Sequence, residues 1–331
     1  MSGVRVLYLA GSGRSGSTLV TTILGQLDGV FAAGELRYLW QRGAVDNRPC
    51  GCGRPFRECP LWTAVTAALP PADPARIAAG LRRRLRLRGL PRLLRRDRHG
   101  RPLVAAHPDD DTIAALYTAI AAHAGSGPTG PLIVDSSKLP PYGALLDTLP
   151  GLDLRVLHVV RDPRATAFSW RRRRGLDGDG DARLMNRPPV WKAALLWLVW
   201  NTATVRLWER RHPDRYLRVR YEDFVAAPQE TIRVIARFAG LDPVELPFTA
   251  AGAVRLAPTH SVAGNPSRHR VGAVPITGDT EWVGGLSRAA YAVVTALTVP
   301  ALRRFRYPLR RPPVPPTPTP AAVSSVEHQE D

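Results

Sequence analysis

The sequence predicts an α/β fold in which a parallel sheet carries helices on both faces. Three observations predict it. Short β-branched runs alternate with longer helical patterns along most of the chain, as strand–helix–strand units require. The first such run passes directly into a glycine-rich loop and a helical pattern. The distinctive polar residues then gather just beyond the strand-like runs, where an open parallel sheet binds its ligands.

Taken in order, "VRVLYLA" (4–10) reads as the first strand, followed by a glycine loop and a helix from about Ser17 to Gln26. "GVFAAGE" (29–35) reads as the second strand, while "PLIVDSSK" (131–138) and "DLRVLHVVRDP" (153–163) have the apolar continuity of buried strands. "RYLRVRYEDF" (215–224) reads as another, ending in a polar turn. Helices are expected near 111–124, 140–149, 163–174, 190–211 and 228–240. Residues 41–110 break the repeat as an Arg-, Pro- and Cys-rich insertion, expected to act as a cap over the site. Residues 1–307 then form one domain, and from Pro308 to Asp331 a proline-rich tail has too few apolar residues to pack.

Composition limits the possible functions. At 331 residues with 44% hydrophobic content, the chain can bury a full core. The apolar run at 4–10 lacks the cleavage site of a signal peptide, so a cytoplasmic location is expected. The later apolar stretches around 193–200 and 289–302 fall short of the roughly 20 residues that span a bilayer. The net charge of +18 is almost all arginine, Lys138 and Lys192 being the only lysines. Its densest run, "LRRRLRLRGLPRLLRRDRHGR" (81–101), has the pattern of a basic amphipathic helix broken at Gly89-Leu90-Pro91. A solvated face is the simpler reading, with peripheral contact to an acidic membrane as the alternative. No aromatic residues interleave there to stack bases, so no nucleic-acid partner is expected.

The three cysteines, Cys50, Cys52 and Cys59, sit together in "CGCGRPFRECPLW". Structural zinc needs four ligands, and the nearest histidines in sequence are His99 and His107. The segment is therefore expected to be a small ordered loop beneath Phe56 and Trp62, and no metal is expected.

The polar residues beyond the strands carry the chemistry. In "GSGRSGSTLV" (11–20), Gly11, Gly13 and Gly16 permit positive φ and let backbone N–H groups close on an anion at a helix N-terminus. Ser15, Ser17 and Thr18 add hydroxyls, and Arg14 adds a guanidinium fork suited to a tetrahedral oxyanion. A triphosphate-binding loop of the Walker type would need lysine where Ser17 stands. A second anion site follows from "VVRDPRATAFSW" (159–170), where Asp162 and Pro163 start a helix. Ser169, two turns along on the same side as Asp162, can share one phosphate with Arg161.

These residues resemble the sulfotransferases that use 3′-phosphoadenosine 5′-phosphosulfate (PAPS), and the likeness covers roughly residues 4 to 300. It implies a P-loop-like fold in which Gly13, Arg14, Ser15, Gly16, Ser17 and Thr18 grip the 5′-phosphosulfate and Arg161 and Ser169 hold the 3′-phosphate. "RYEDFVAAPQETIRVIARFAGL" (220–241) is similar to the family's Y-E-D segment, and the cysteine-rich stretch to an insertion in bacterial members. "HSVAGNPSR" (260–268) resembles their C-terminal nucleotide-contacting segment, which makes Arg268 a further cofactor contact. The resemblance implies transfer to a hydroxyl of a small-molecule, glycan or lipid acceptor, with no metal. Glu35 becomes the general base, ahead of His260 and then His107. Lys138 becomes the group that neutralises charge on the transferred or leaving group. Arg14 stands where other branches have lysine, and its permanently protonated guanidinium favours charge stabilisation over proton donation. The rival reading is a P-loop kinase or NTPase, with Asp135 of "LIVD" mimicking a Walker B aspartate.

Overall fold

The computed structural model describes residues 3–95, 103–125, 130–172, 188–241 and 245–313. Five parallel strands, β1 (Val4–Gly11), β2 (Val30–Gly34), β3 (Leu132–Lys138), β4 (Leu152–Val160) and β5 (Tyr216–Arg220), form one sheet in the order β2-β3-β1-β4-β5. The helices in chain order are α1 (Ser17–Leu24), α2 (Pro60–Ala67), α3 (Pro74–Arg84), α4 (Leu90–Leu93), α5 (Asp110–His123) and α6 (Pro140–Leu146). They continue with α7 (Pro163–Arg171), α8 (Val190–Thr204), α9 (Tyr221–Ala226), α10 (Pro228–Phe238), α11 (Glu281–Gly285) and α12 (Arg288–Arg304). A short antiparallel hairpin, β6 (Val254–Leu256) with β7 (Gly272–Val274), lies outside the sheet.

The alternation of β1 explains the layering. Val6, Tyr8 and Ala10 join one core with α5, α6 and the insertion, while Leu7 and Leu9 join the other with α1 and α10. A central parallel strand covered on both faces is apolar at nearly every position, and Val6 to Ala10 are all buried. Asp162 caps α7 by accepting from the Arg164 N–H, with Pro163 at the first helical position.

The structure departs from the sequence reading in several places. The last residues of "RYLRVRYEDF" are not a turn but the start of α9, where Glu222 and Asp223 suit a helix's first turn. There the Glu222 carboxylate accepts from the Asp162 N–H at 3.0 Å and from the Tyr307 hydroxyl at 2.7 Å, tying α9 to the end of β4. The 190–211 helix divides into α8 and a π-helical turn, Val205–Glu209. The insertion packs beside β2, with Phe56, Trp62, Ile77 and Leu81 in the same core as Phe31, and reaches the cleft through Arg42. In the basic run, Leu81, Leu90 and Leu93 are buried against the protein, so these leucines are not a face for lipid. Residues 96–101 of that run and 314–331 of the tail lie outside the described residues, as do 173–174 of the predicted 163–174 helix. The tail's first residues are held to the body, Arg164 donating to the carbonyls of Pro308 at 2.8 Å and Leu309 at 3.5 Å. No helix among the described residues is long and apolar enough to cross a membrane.

Candidate active site

The carboxyl ends of β1, β2, β3 and β4 open on one cleft of about 670 Å³. Its walls include Gly13, Arg14, Gly16, Ser17, Thr18, Glu35, Lys138, Arg161 and Ser169. Neighbouring strands lie roughly 5 Å apart, so residues scattered across the sequence meet because their strands do. In the β1–α1 loop, Gly11 and Gly16 take positive φ (131° and 87°), but Gly13 does not; Arg14 does, at 68°. A Cβ on Gly16 would sit 2.3 Å from the Tyr221 ring, so the loop needs glycine there for space as well as for φ. Lys138 also has positive φ, at 69°. Of the four non-glycine residues with positive φ among the described residues, Arg14 and Lys138 line the cleft, where such strain can set side-chain placement. Ser15 is buried and does not line the cleft.

Glu35 and Lys138 form a buried pair, Nζ donating to Oε1 at 2.7 Å, while Arg37 approaches Oε2 at 3.4 Å. Arg37 is itself fixed, its Nε donating to the Ser137 carbonyl at 3.0 Å. Burial works to raise the Glu35 pKa, but the charges of Lys138 and Arg37 prevail and hold it below the usual carboxylate value. Leu139, Leu196 and Trp200 add an apolar wall beside Lys138 and belong to one packed cluster.

At the other end, Arg161 is buried under the loop and donates to the Arg14 carbonyl at 3.3 Å. Its guanidinium also stacks on Tyr221, 4.5 Å from the ring centre, as that of Arg14 does on Trp170 at 5.0 Å. The Asp279 carboxylate lies between Arg161 (2.8 Å) and Arg172 (3.0 Å). Sequence reasoning did not pick out Asp279, Arg172, Trp170 or Asn265, all of which line the cleft. Arg172, following α7, belongs to an arginine run that gives it no distinguishing signal, and Asp279 lies in a segment without a motif.

Other sequence-predicted residues are placed elsewhere. Arg268 does not line the cleft; it is buried and donates to the carbonyls of Ser261 and Pro49, both at 2.7 Å, so it ties two loops together. His107 lies just before α5, its Nδ1 3.3 Å from the Asp109 carboxylate. His260 also lies outside the cleft wall, its pKa lowered by burial and its Nδ1 3.2 Å from Cys59 Sγ and 3.8 Å from Cys50 Sγ. The expectation that the cysteines lack a fourth ligand therefore fails in three dimensions: His260 reaches them from 201 residues beyond Cys59. Asp135, the Walker B mimic, is fully buried, its pKa raised by burial to about 6. It accepts from the Tyr117 and Ser137 hydroxyls at 2.6 and 2.5 Å, so it braces β3 and does not face the cleft.

Comparison with known proteins gives the same picture at the level of fold. The chain resembles the sulfotransferase domain of the Synechococcus PCC 7002 olefin synthase, with a TM-score of 0.54 at 21% identity over 94% of this chain and 98% of that one. It also resembles the sulfotransferase domain from the curacin biosynthetic pathway, with a TM-score of 0.51 at 16% identity over 94% and 99% of the two chains. No curated protein matches the sequence. The model of the sulfotransferase family matches residues 7–245, a span that begins within β1 and contains the loop, Glu35, Lys138, Arg161 and Ser169. The chain belongs to the sulfotransferase family.

Proposed function

We propose that this chain moves a sulfuryl group from PAPS to a hydroxyl of an acceptor, with Glu35 as general base. The observation that carries this reading is that the glycine loop and Arg161 line one cleft, Arg161 donating to the main chain of Arg14. A nucleotide charged at both ends of its ribose suits that arrangement, and a bare triphosphate does not require it. The cleft wall fits such a guest. Ser12 Oγ, Thr166 Oγ1 and Arg161 Nε are buried there and make no hydrogen bond among the described residues. Buried polar atoms normally find a partner, and an anion in the cleft would supply one.

PAPS supplies an activated sulfuryl group on a phosphate leaving group; the protein supplies position and charge, as in phosphoryl transfer. Gly13, Arg14, Gly16, Ser17 and Thr18 receive the 5′ end, and Arg161 with Ser169 the 3′-phosphate. Arg14 stabilises charge without giving up a proton. Glu35 takes the acceptor's proton. The ion pair with Lys138 holds Glu35 as a weakly basic carboxylate. An anion bound nearby draws the ammonium away, and burial then strengthens Glu35 as a base, so Lys138 links donor binding to proton abstraction. The apolar wall of Leu139, Leu196 and Trp200 suits an acceptor hydroxyl carried on an apolar small molecule or lipid better than one on a glycan.

Thermal melting tests the donor. Adenosine 3′,5′-bisphosphate at a hundredfold excess over its Kd is expected to raise Tm by about 4 °C, and ATP with Mg²⁺ by clearly less. Equal or reversed shifts would overturn the assignment.

A further inference from the structure

Outside the cleft, and unused by the transfer chemistry, Cys50, Cys52, Cys59 and His260 converge with all four ligand atoms within 4.8 Å of one another. We propose that these four side chains bind one zinc ion, which fastens the insertion to the C-terminal wall of the active site. The sequence expectation of no metal is thereby revised for this cluster.

The spacing fits. Zinc bonds of about 2.3 Å to sulfur and 2.0–2.1 Å to nitrogen, at tetrahedral angles, place sulfurs about 3.8 Å apart and sulfur about 3.6 Å from nitrogen. Cys52 Sγ and Cys59 Sγ are 3.8 Å apart, and His260 Nδ1 is 3.8 Å from Cys50 Sγ and 3.2 Å from Cys59 Sγ. The three cysteines are unbridged, and Cys50 and Cys59 are fully buried. Three thiolates and one imidazole are a donor set that selects zinc over the oxygen-seeking cations. With four protein ligands there is no open position, so the role is structural.

The surrounding chain is shaped for that convergence. Cys50 and Cys52 lie in a tight turn closed by the Gly53 N–H on the Cys50 carbonyl at 2.9 Å, and Cys59 directly precedes α2. A Cβ on Gly51 would lie 2.5 Å from both the Ser261 hydroxyl and the Thr259 carbonyl, so the turn presses on the segment that carries His260. That segment receives the Trp62 indole N–H on the His260 carbonyl at 2.8 Å. Three residues further on, the Ala263 carbonyl accepts from the Glu35 N–H at 3.0 Å, so the ion would stand one short step from the proposed base.

Metal analysis of the full chain, purified without chelator, is expected to find about one zinc per chain. Cys52→Ser, which alters the most accessible of the three thiols, and His260→Ala should each lower that content severalfold. Because a variant may fail to fold, the metal-stripped wild-type chain should also be titrated with Co²⁺. Thiolate-to-cobalt charge transfer and strong visible bands of tetrahedral coordination, saturating at one equivalent, would support the site. Zinc far below one per chain together with no such bands, or zinc fully retained in both variants, would overturn it.

Discussion

Glu35→Gln is expected to lower kcat by about 10²- to 10⁴-fold, the range removed with a positioned general base, while leaving nucleotide binding intact. Glutamine is chosen because it keeps the shape of the side chain and an acceptor for Lys138. Either substitution leaves the Lys138 charge without its carboxylate, at a cost of up to about 3–5 kcal/mol, and alanine would add a lost acceptor and a cavity. The measurement is turnover on an accepted hydroxyl substrate, with Tm and the Kd for adenosine 3′,5′-bisphosphate as controls. Full activity would remove Glu35 from the base role. The pH profile adds a check with a defined sign. The free-enzyme Glu35 pKa is depressed, so kcat/KM should rise as pH climbs through that lowered value and lie flat above it. An acid limb near neutrality would belong to another group. The same depression contributes stability above the unfolded-state pKa, and that contribution is lost as pH falls through the folded-state value.

Arg161→Ala is expected to weaken adenosine 3′,5′-bisphosphate by roughly 10- to 100-fold and to change adenosine 5′-monophosphate little. A hydrogen bond to a charged group is worth about 1.5–3 kcal/mol, and each 1.4 kcal/mol is tenfold in affinity. The fold should survive, because Asp279 retains Arg172 and α7 keeps its Asp162 cap. Calorimetric titration of both nucleotides decides the matter; an equal loss for the two would refute a 3′-phosphate role for Arg161.

The sheet was legible because buried parallel strands are continuous apolar runs, and all five stand within a few residues of their predicted places. The loop and Arg161 were legible because strand ends announce themselves by an abrupt change to glycine and charge. What the sequence concealed depends on contacts between distant segments. Arg268 sits in a segment that resembles a nucleotide-binding motif, yet its guanidinium is taken by two carbonyls, one of them 219 residues away. His260 looked like a reserve base until the fold turned its Nδ1 toward sulfur. The α12 helix was noted as an apolar stretch, but only its packing against α7 and α8 shows why it is there.

Asp279 has one more consequence. Its carboxylate pairs with both Arg161 and Arg172, so on the proposed function it is a tethered competitor for any phosphate that Arg161 would hold. On the proposed function an incoming phosphate would exchange with this carboxylate, so the apparent affinity would fall short of what the arginines alone would give. On that reading the same carboxylate would re-pair with the arginines as the spent nucleotide leaves, favouring release over tight holding.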